Sequence, residues 1–200
     1  MKLSIIIPCY NEAENIPLLI KSINNVYKPD TEIILVDNGS IDDTSDVLSK
    51  ELESINNVSI RSVRVEENIG YGHGIMAGVR EAKGEIIAWT HADLQTDVKD
   101  IYNGYEIFRG HSDQEKFFLK GSRRKRNFID LILTWGMSII SSIMLGTKLN
   151  DINAQPKMFH RTFLKLVDDA PDDFSLDLYF YCIAKKTKMN IVEMPVYFKD

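Results

Sequence analysis

The stretch WTHADLQTD (89–97) closes an apolar run and carries an imidazole and a carboxylate two positions apart. In an extended chain such residues point to the same side, so His91 and Asp93 face together from the end of the run. An imidazole and a carboxylate so placed form one polar site at the strand end. Asp97 is either a weak helper in that site or the N-cap of the next helix. Further polar groups gather in short segments elsewhere: Tyr10 and Glu12 after Pro8, Asp37 in VDNGSIDDT, Asn68 in ENIGYGHG, and the basic run SRRKR (122–126).

Positioning these groups requires regular elements, and the hydrophobic pattern supplies them. LSIIIP (3–8), EIILVD (32–37), VSIRSVRV (58–65) and EIIAWT (85–90) read as strands, separated by segments with apolar residues at three- and four-residue spacing. Strand–helix alternation implies a mostly parallel α/β sheet with helices on both faces. Ligands in such sheets bind beyond the carboxyl ends of the strands, which is where each polar segment falls. The first strand is expected to turn at Tyr10 and Asn11 into a helix opening near Glu12, presenting backbone N–H groups and a planar ring that suit a nucleotide. Alternatively, Asn11 or Glu12 merely caps that helix. Ser40 or Asp42 can cap the next one. After residue 100 follow a helix near 98–109, a short strand KFFLKG, the basic run, a long apolar helix near 128–146, a helix around 175–187 and a last strand NIVEMPVYF.

Composition narrows the classes. The chain has 200 residues, 44% hydrophobic and 26% charged, which suits one ordered domain with a real core. A formal charge of -5 argues against a general nucleic-acid binder while allowing a local basic patch. Cys9 and Cys182 lie far apart in apolar surroundings and read as reduced packing residues, as in a cytoplasmic protein. The N-terminus has no cleavage-site pattern and reads as a strand. The uncharged stretch 131–147 is shorter than the ~20 residues of a usual membrane span. His73, His111 and His160 have no partner pattern and read as surface or packing residues.

Taken together, SIIIPCYNEAENI, EIILVDNGSIDDT, ENIGYGHGIMAGVREAKGEIIAWTHADLQTD and NDINAQPKMFHR resemble the family 2 glycosyltransferases of GT-A fold. The nearest branch is that of dolichol-phosphate mannosyltransferase and the bacterial polyprenyl-phosphate glycosyltransferases. The resemblance implies a GT-A type α/β fold with a Rossmann-like, mostly parallel central sheet flanked by helices. It implies a single catalytic domain over 1–200, with a nucleotide-sugar half (about 1–97) and an acceptor half (about 98–200). Pro8, Tyr10, Glu12 and Asp37 would line a UDP- or GDP-sugar site, with Asn68 as a further contact, Gln95 kept beside the metal motif, and Gln155 bordering the sugar. Asn38 stands where the family has a second Asp. The family form at 91–95 is Asp-Ala-Asp-Leu-Gln, whose carboxylates hold Mg²⁺ or Mn²⁺ on the donor diphosphate and offset charge on the leaving group. Here His91 replaces the first carboxylate. It either shares the metal with Asp93, hydrogen-bonds the diphosphate itself, or marks an inactive site.

Arginine binds phosphate bidentately and an apolar neighbour can take a lipid tail, so Arg123 and Arg124 beside the apolar helix suggest a polyprenyl-phosphate acceptor at the cytosolic face of a membrane. The same helix could be core or a homo-oligomer interface. Asp177 matches a family acidic position near the acceptor. It is catalytic, as a base, only for a hydroxyl acceptor, because a phosphate is already anionic; otherwise it positions the site or caps a helix. Asp151 meets another acidic position of the pattern, with a turn residue as the alternative. Three functions follow: inverting transfer to polyprenyl phosphate in glycan or cell-envelope biosynthesis, transfer to a saccharide hydroxyl, or non-catalytic nucleotide-sugar binding. Similar proteins usually run on past VYFKD with a further basic loop and often membrane helices, so the expectation is that the sequence is either trimmed there or naturally without them.

Overall fold

In the computed structural model, residues 2–55, 57–124, 146 and 149–197 are described. The strands are β1 (Leu3–Cys9), β2 (Thr31–Asn38), β3 (Ile60–Val65), β4 (Ile86–Trp89), β5 (Phe117–Arg124), β6 (Lys157–His160) and β7 (Asn190–Tyr197). The α-helices are α1 (Ile16–Val26), α2 (Thr44–Ile55), α3 (Tyr71–Glu81), α4 (Val98–Arg109) and α5 (Leu176–Lys186). They surround a seven-stranded sheet of order β3-β2-β1-β4-β6-β5-β7 that runs through both halves of the chain. All ladders are parallel except the two made by β6, which runs against β4 and β5.

Alternation along β1 builds the two layers. Leu3, Ile5, Ile7 and Cys9 face one way and pack with Ile16, Leu19, Ile20 and Ile23 of α1, Leu48 of α2, and Ile101 and Phe108 of α4. Ile6 faces the other way, with Ile34 and Val36 of β2, and meets Ile75 and Val79 of α3 and Leu176 and Phe180 of α5. Each such side chain, withdrawn from water, contributes about 1.5–3 kcal/mol before chain entropy is subtracted. Trp89 ends β4 inside the second layer, edge-on to Phe159 at 5.5 Å and Phe180 at 5.0 Å. Cys9 and Cys182 are buried and unbonded, as expected of packing residues.

Four local expectations are corrected. Helix α1 opens at Ile16 rather than near Glu12, with Pro17 in its first turn, where a missing N–H costs nothing. β5 continues past KFFLKG through Arg124, so Arg123 and Arg124 are strand residues rather than part of a separate basic run. β6 was not expected, because four residues within NDINAQPKMFHR are too few to show a period. His73 does not stand alone: its Nδ1 lies 3.2 Å from Asp172 Oδ1. The apolar helix expected near 128–146, together with Lys125 and Arg126, lies outside the described residues apart from Gly146. Among the described residues, no helix is long and apolar enough to cross a membrane.

Glycine lets α3 lie close on the sheet. A Cβ on Gly78 would meet Ile6 Cγ2 at 2.6 Å and Val36 Cγ2 at 2.8 Å, both in the packed interior. Gly78→Val is therefore expected to destabilise the fold by about 1–3 kcal/mol through overpacking, seen as a lower denaturation midpoint in urea at unchanged slope.

Two lysines face each other across the β5–β6 ladder, Lys120 against Lys157, and both are fully buried. Lys157 Nζ donates to the carbonyls of Ile152 and Ala154, each at 2.8 Å, and lies 3.3 Å from Asp177 Oδ1. Lys120 Nζ donates to the Gly121 carbonyl at 3.1 Å and lies 3.6 Å from Glu193 Oε1. Burial first, and repulsion from Lys157 second, pull the Lys120 ammonium down from 10.5 to about 8, against the opposing pull of Glu193. Between those values the unfolded chain binds the proton and the folded chain does not, so stability rises with pH across that window. Relative to Lys120→Met, the native protein is expected to gain stability between pH 8 and pH 10 and to show no such relative gain between pH 6 and pH 7.5, measured by chemical denaturation.

Candidate active site

The carboxyl ends of β1, β2 and β4 open into a cavity of about 330 Å³. Pro8, Tyr10, Glu12, Asn38, Asn68 and Ala92 are among the residues that line it. A second cavity of about 210 Å³ is lined by Gln95, Arg123, Asn153 and Asp177. Tyr71, His91, Asp93 and Phe174 wall both, so the two are compartments of one cleft.

The turn after β1 is held by the turn after β2. Ser40 Oγ accepts from Asn11 N at 3.0 Å, Thr44 Oγ1 from Glu12 N at 2.8 Å, and Asn11 Oδ1 from Ile41 N at 3.0 Å. Asn11 adopts a left-handed φ of 55° there. These bonds correct one expectation: the N–H groups of Asn11 and Glu12 are spent on Ser40 and Thr44 and are not offered to a ligand. The side chains of Tyr10 and Glu12 nonetheless reach the cavity wall. Of the proposed caps, Asp42 Oδ1 receives Thr44 N at 3.0 Å, at the start of α2.

Asp37 sits behind this wall. It is 2% exposed, its Oδ1 accepts from Ser40 N at 3.0 Å, and its Oδ2 lies 3.4 Å from Arg64 Nη1. It is Asn38 that borders the cavity, donating through Nδ2 to Gly70 O at 3.0 Å. A glycine at 74 makes room for it, since a Cβ there would lie 2.6 Å from Asn38 Cγ.

At the end of β4, His91 is partly buried and Asp93 exposed. Asp93 Oδ1 accepts from Gln95 N at 3.0 Å, which fixes the turn. Burial pulls the His91 imidazole below its ordinary value; the Asp93 and Asp177 charges oppose this, and Lys157 and Arg123 reinforce it. A neutral imidazole has a lone pair to give. Asp97 is the N-cap of α4, accepting from Lys99 N at 2.9 Å. Among the described residues there is no cluster of three His, Cys, Asp or Glu side chains able to hold a metal. His91 and Asp93 wall both compartments and present one imidazole and one carboxylate to the cleft.

The second compartment is built around Asp177 on the first turn of α5, 2% exposed. Its Oδ1 accepts from Trp89 Nε1 at 3.1 Å and its Oδ2 from Gln155 Nε2 at 3.0 Å and Tyr71 Oη at 3.4 Å. It is therefore not a helix cap. Gln155 itself is fully buried and does not line either cavity. Arg123 reaches the compartment clasped by Asp151, whose Oδ2 accepts from Arg123 N at 2.7 Å and whose Oδ1 accepts from Arg123 Nε at 2.8 Å. Burial works to raise the Asp151 carboxyl, but the Arg123 hydrogen bonds outweigh it and leave the group below its ordinary value. Arg124 lies exposed at the end of β5, away from the cleft lining.

Sequence reasoning missed Tyr71, Phe174, Trp89 and Lys157. Only Phe174 carried a readable signal, as a lone aromatic in the acidic loop DAPDDFS. The others are ordinary strand or helix residues until the fold brings them to Asp177.

Residues 4–162 match Glycosyl transferase family 2. The chain is 29% identical over 174 residues to a dodecaprenyl-phosphate galacturonate synthase of Rhizobium johnstonii, covering 84% of this chain and 50% of that protein. It is 26% identical over 213 residues to a dolichyl-phosphate β-glucosyltransferase of Dictyostelium discoideum, covering 97% of this chain and 65% of that protein. The chain thus spans between half and about two-thirds of these relatives. A mannosyltransferase from Pyrobaculum calidifontis, solved with GDP-mannose and Mn²⁺, superposes with a TM-score of 0.75 at 21% identity, over 100% of this chain and 56% of that one. The sheet order, the antiparallel β6 and the cleft at the strand ends thus belong to a GT-A fold, and the chain is a member of glycosyl transferase family 2.

Proposed function

We propose that this chain is the catalytic domain of an inverting glycosyltransferase that moves a sugar from a nucleotide donor to a polyprenyl phosphate at the cytosolic face of a membrane. The observation that carries the acceptor class is the engagement of Asp177. Both of its oxygens already accept hydrogen bonds, from Trp89, Gln155 and Tyr71, and Lys157 pairs with it. A carboxylate so held is a poor base for a hydroxyl, and a phosphate acceptor needs none. Both relatives are named for sugar transfer involving a polyprenyl phosphate, which supports the same choice.

In this reading, the donor nucleotide occupies the larger compartment, against Pro8, Tyr10, Glu12, Asn38 and Asn68, with Asp37 bracing the wall through Ser40. Arg123 receives the acceptor phosphate in the smaller compartment, held in place by Asp151, and Gln95 borders the same space. The acceptor oxygen attacks the anomeric carbon from the side opposite the diphosphate. As that bond forms, the sugar–phosphate bond breaks and its electron pair leaves with the nucleoside diphosphate. A divalent cation at Asp93 and His91, Mn²⁺ or Mg²⁺, would offset the charge gathering on that leaving group. Asp177 positions Tyr71 and Trp89 around the transfer point. Arg124, exposed at the end of β5, faces the lipid headgroups.

The reading is tested by thermal denaturation against UDP-, GDP-, CMP- and dTDP-sugars with Mn²⁺, Mg²⁺ or EDTA, followed by transfer of labelled sugar to polyprenyl phosphate in vesicles. A donor at ~100 times its dissociation constant adds about 2.7 kcal/mol of stability. One donor is expected to raise the midpoint in a metal-dependent way and to label the lipid phosphate; labelling of a saccharide hydroxyl instead would overturn the acceptor assignment. His91→Asp is expected to lower turnover about 10-fold or more, because the site is built around an imidazole. A gain in turnover would show that His91 had silenced the site.

A further inference from the structure

The four residues common to both compartments mark where a transferred group must sit, since it begins bonded in one and ends bonded in the other. Two of them, His91 and Asp93, are polar. The other two are aromatic, and they form one unit: the rings of Tyr71 and Phe174 stack at 5.2 Å with planes 9° apart. Tyr71 is fixed from behind by Asp177 and Gln155, through its hydroxyl. Phe174 is 76% exposed, an unusual place for a phenyl ring at the wall of a polar cleft.

The fold holds that ring in place deliberately. A Cβ on Gly70 would lie 2.2 Å from Asp172 O, and one on Gly72 would lie 2.2 Å from Pro171 O, so the two glycines form a seat for the loop carrying Phe174. His73 N donates to Asp172 O at 2.9 Å, and the His73 ring meets the Asp172 side chain at 3.2 Å. Asp173 Oδ1 then receives Ser175 N at 2.8 Å, leading directly into α5 and Asp177. The glycine run of ENIGYGHG thus serves to dock this loop.

We propose that Phe174, backed by Tyr71, is the platform on which the sugar lies during transfer, and that it helps select sugars with a continuous apolar C–H face. Hydroxyls of a pyranose point outward from the ring edge and would meet His91 and Asp93, while its axial hydrogens offer a flat apolar patch that covers an exposed phenyl. This rests on the nucleotide-sugar reading above and names the residue that reads the sugar rather than the nucleotide.

The test compares binding of UDP with UDP-glucose, and of GDP with GDP-mannose, to the native protein, Phe174→Ala and Phe174→Trp by titration calorimetry in Mn²⁺. Phe174→Ala is expected to weaken the nucleotide sugar that the native protein binds by about 10-fold, equivalent to about 1.4 kcal/mol, and to leave the matching nucleoside diphosphate within about twofold. Phe174→Trp is expected to retain sugar binding within about threefold. Equal weakening of the diphosphate and its sugar would assign the ring to the nucleotide and overturn the proposal. Unchanged sugar binding, with or without a loss of binding to polyprenyl-phosphate vesicles, would also overturn it. Native protein that binds none of the four ligands, and none of the CMP- and dTDP-sugars of the donor panel, overturns the nucleotide-sugar reading, and this inference with it. Because the ring is exposed, a thermal melt of each variant should match the native one.

Discussion

The buried carboxylate of Asp177 is the point on which the arrangement of the cleft depends. A charge removed from water is costly unless it is paired and hydrogen-bonded, and here five elements contribute to meeting that demand. Trp89 arrives from the end of β4, Tyr71 from the start of α3, Lys157 from β6, Gln155 from the loop before it, and Asp177 from α5. Each partner is also a wall or a brace of the cleft. The requirement to satisfy one carboxylate therefore sets the relative positions of the two compartments.

Lys157 extends that control. Its ammonium ties Asp177 to the carbonyls of Ile152 and Ala154, so the loop 149–156 is held by the same buried charge. That loop carries Asp151, which clasps Arg123, and Asn153, which lines the smaller compartment. Burial pulls the Lys157 ammonium below its ordinary value, while Asp177 pulls it back up. Neither group would be stable in the interior without the other. The antiparallel β6 is what delivers Lys157 to this position, between β4 and β5.

The larger compartment obeys a different rule. There the N–H groups of Asn11 and Glu12 in the turn after β1 are satisfied by Ser40 and Thr44, and side chains form the wall. Glycines shape this side by omission: Gly74 admits Asn38 to the wall, and Gly70 and Gly72 admit the loop that presents Phe174. Close approach of backbones, rather than nucleotide binding by a glycine loop, explains why ENIGYGHG has its spacing.

Much of the fold was legible in the chain. Alternating isoleucines, three- and four-residue helical spacing and polar segments after each strand specify a parallel α/β sheet with its site at the carboxyl ends, because these patterns are local and repeat. His91, Asp93, Tyr10, Glu12, Asn68 and Arg123 could be picked out as polar groups near element ends, and Gln95 and Asp177 only through the family resemblance; the structure places all eight on the walls of one cleft. Tertiary structure alone decided the rest. Asp37 and Gln155 lie behind the walls, Arg124 lies outside, and Tyr71, Trp89 and Lys157 acquire roles only by meeting Asp177. These are contacts between residues up to 106 positions apart, set by which strand lies beside which and by where a buried charge must find its partners, and no local period in a sequence encodes them.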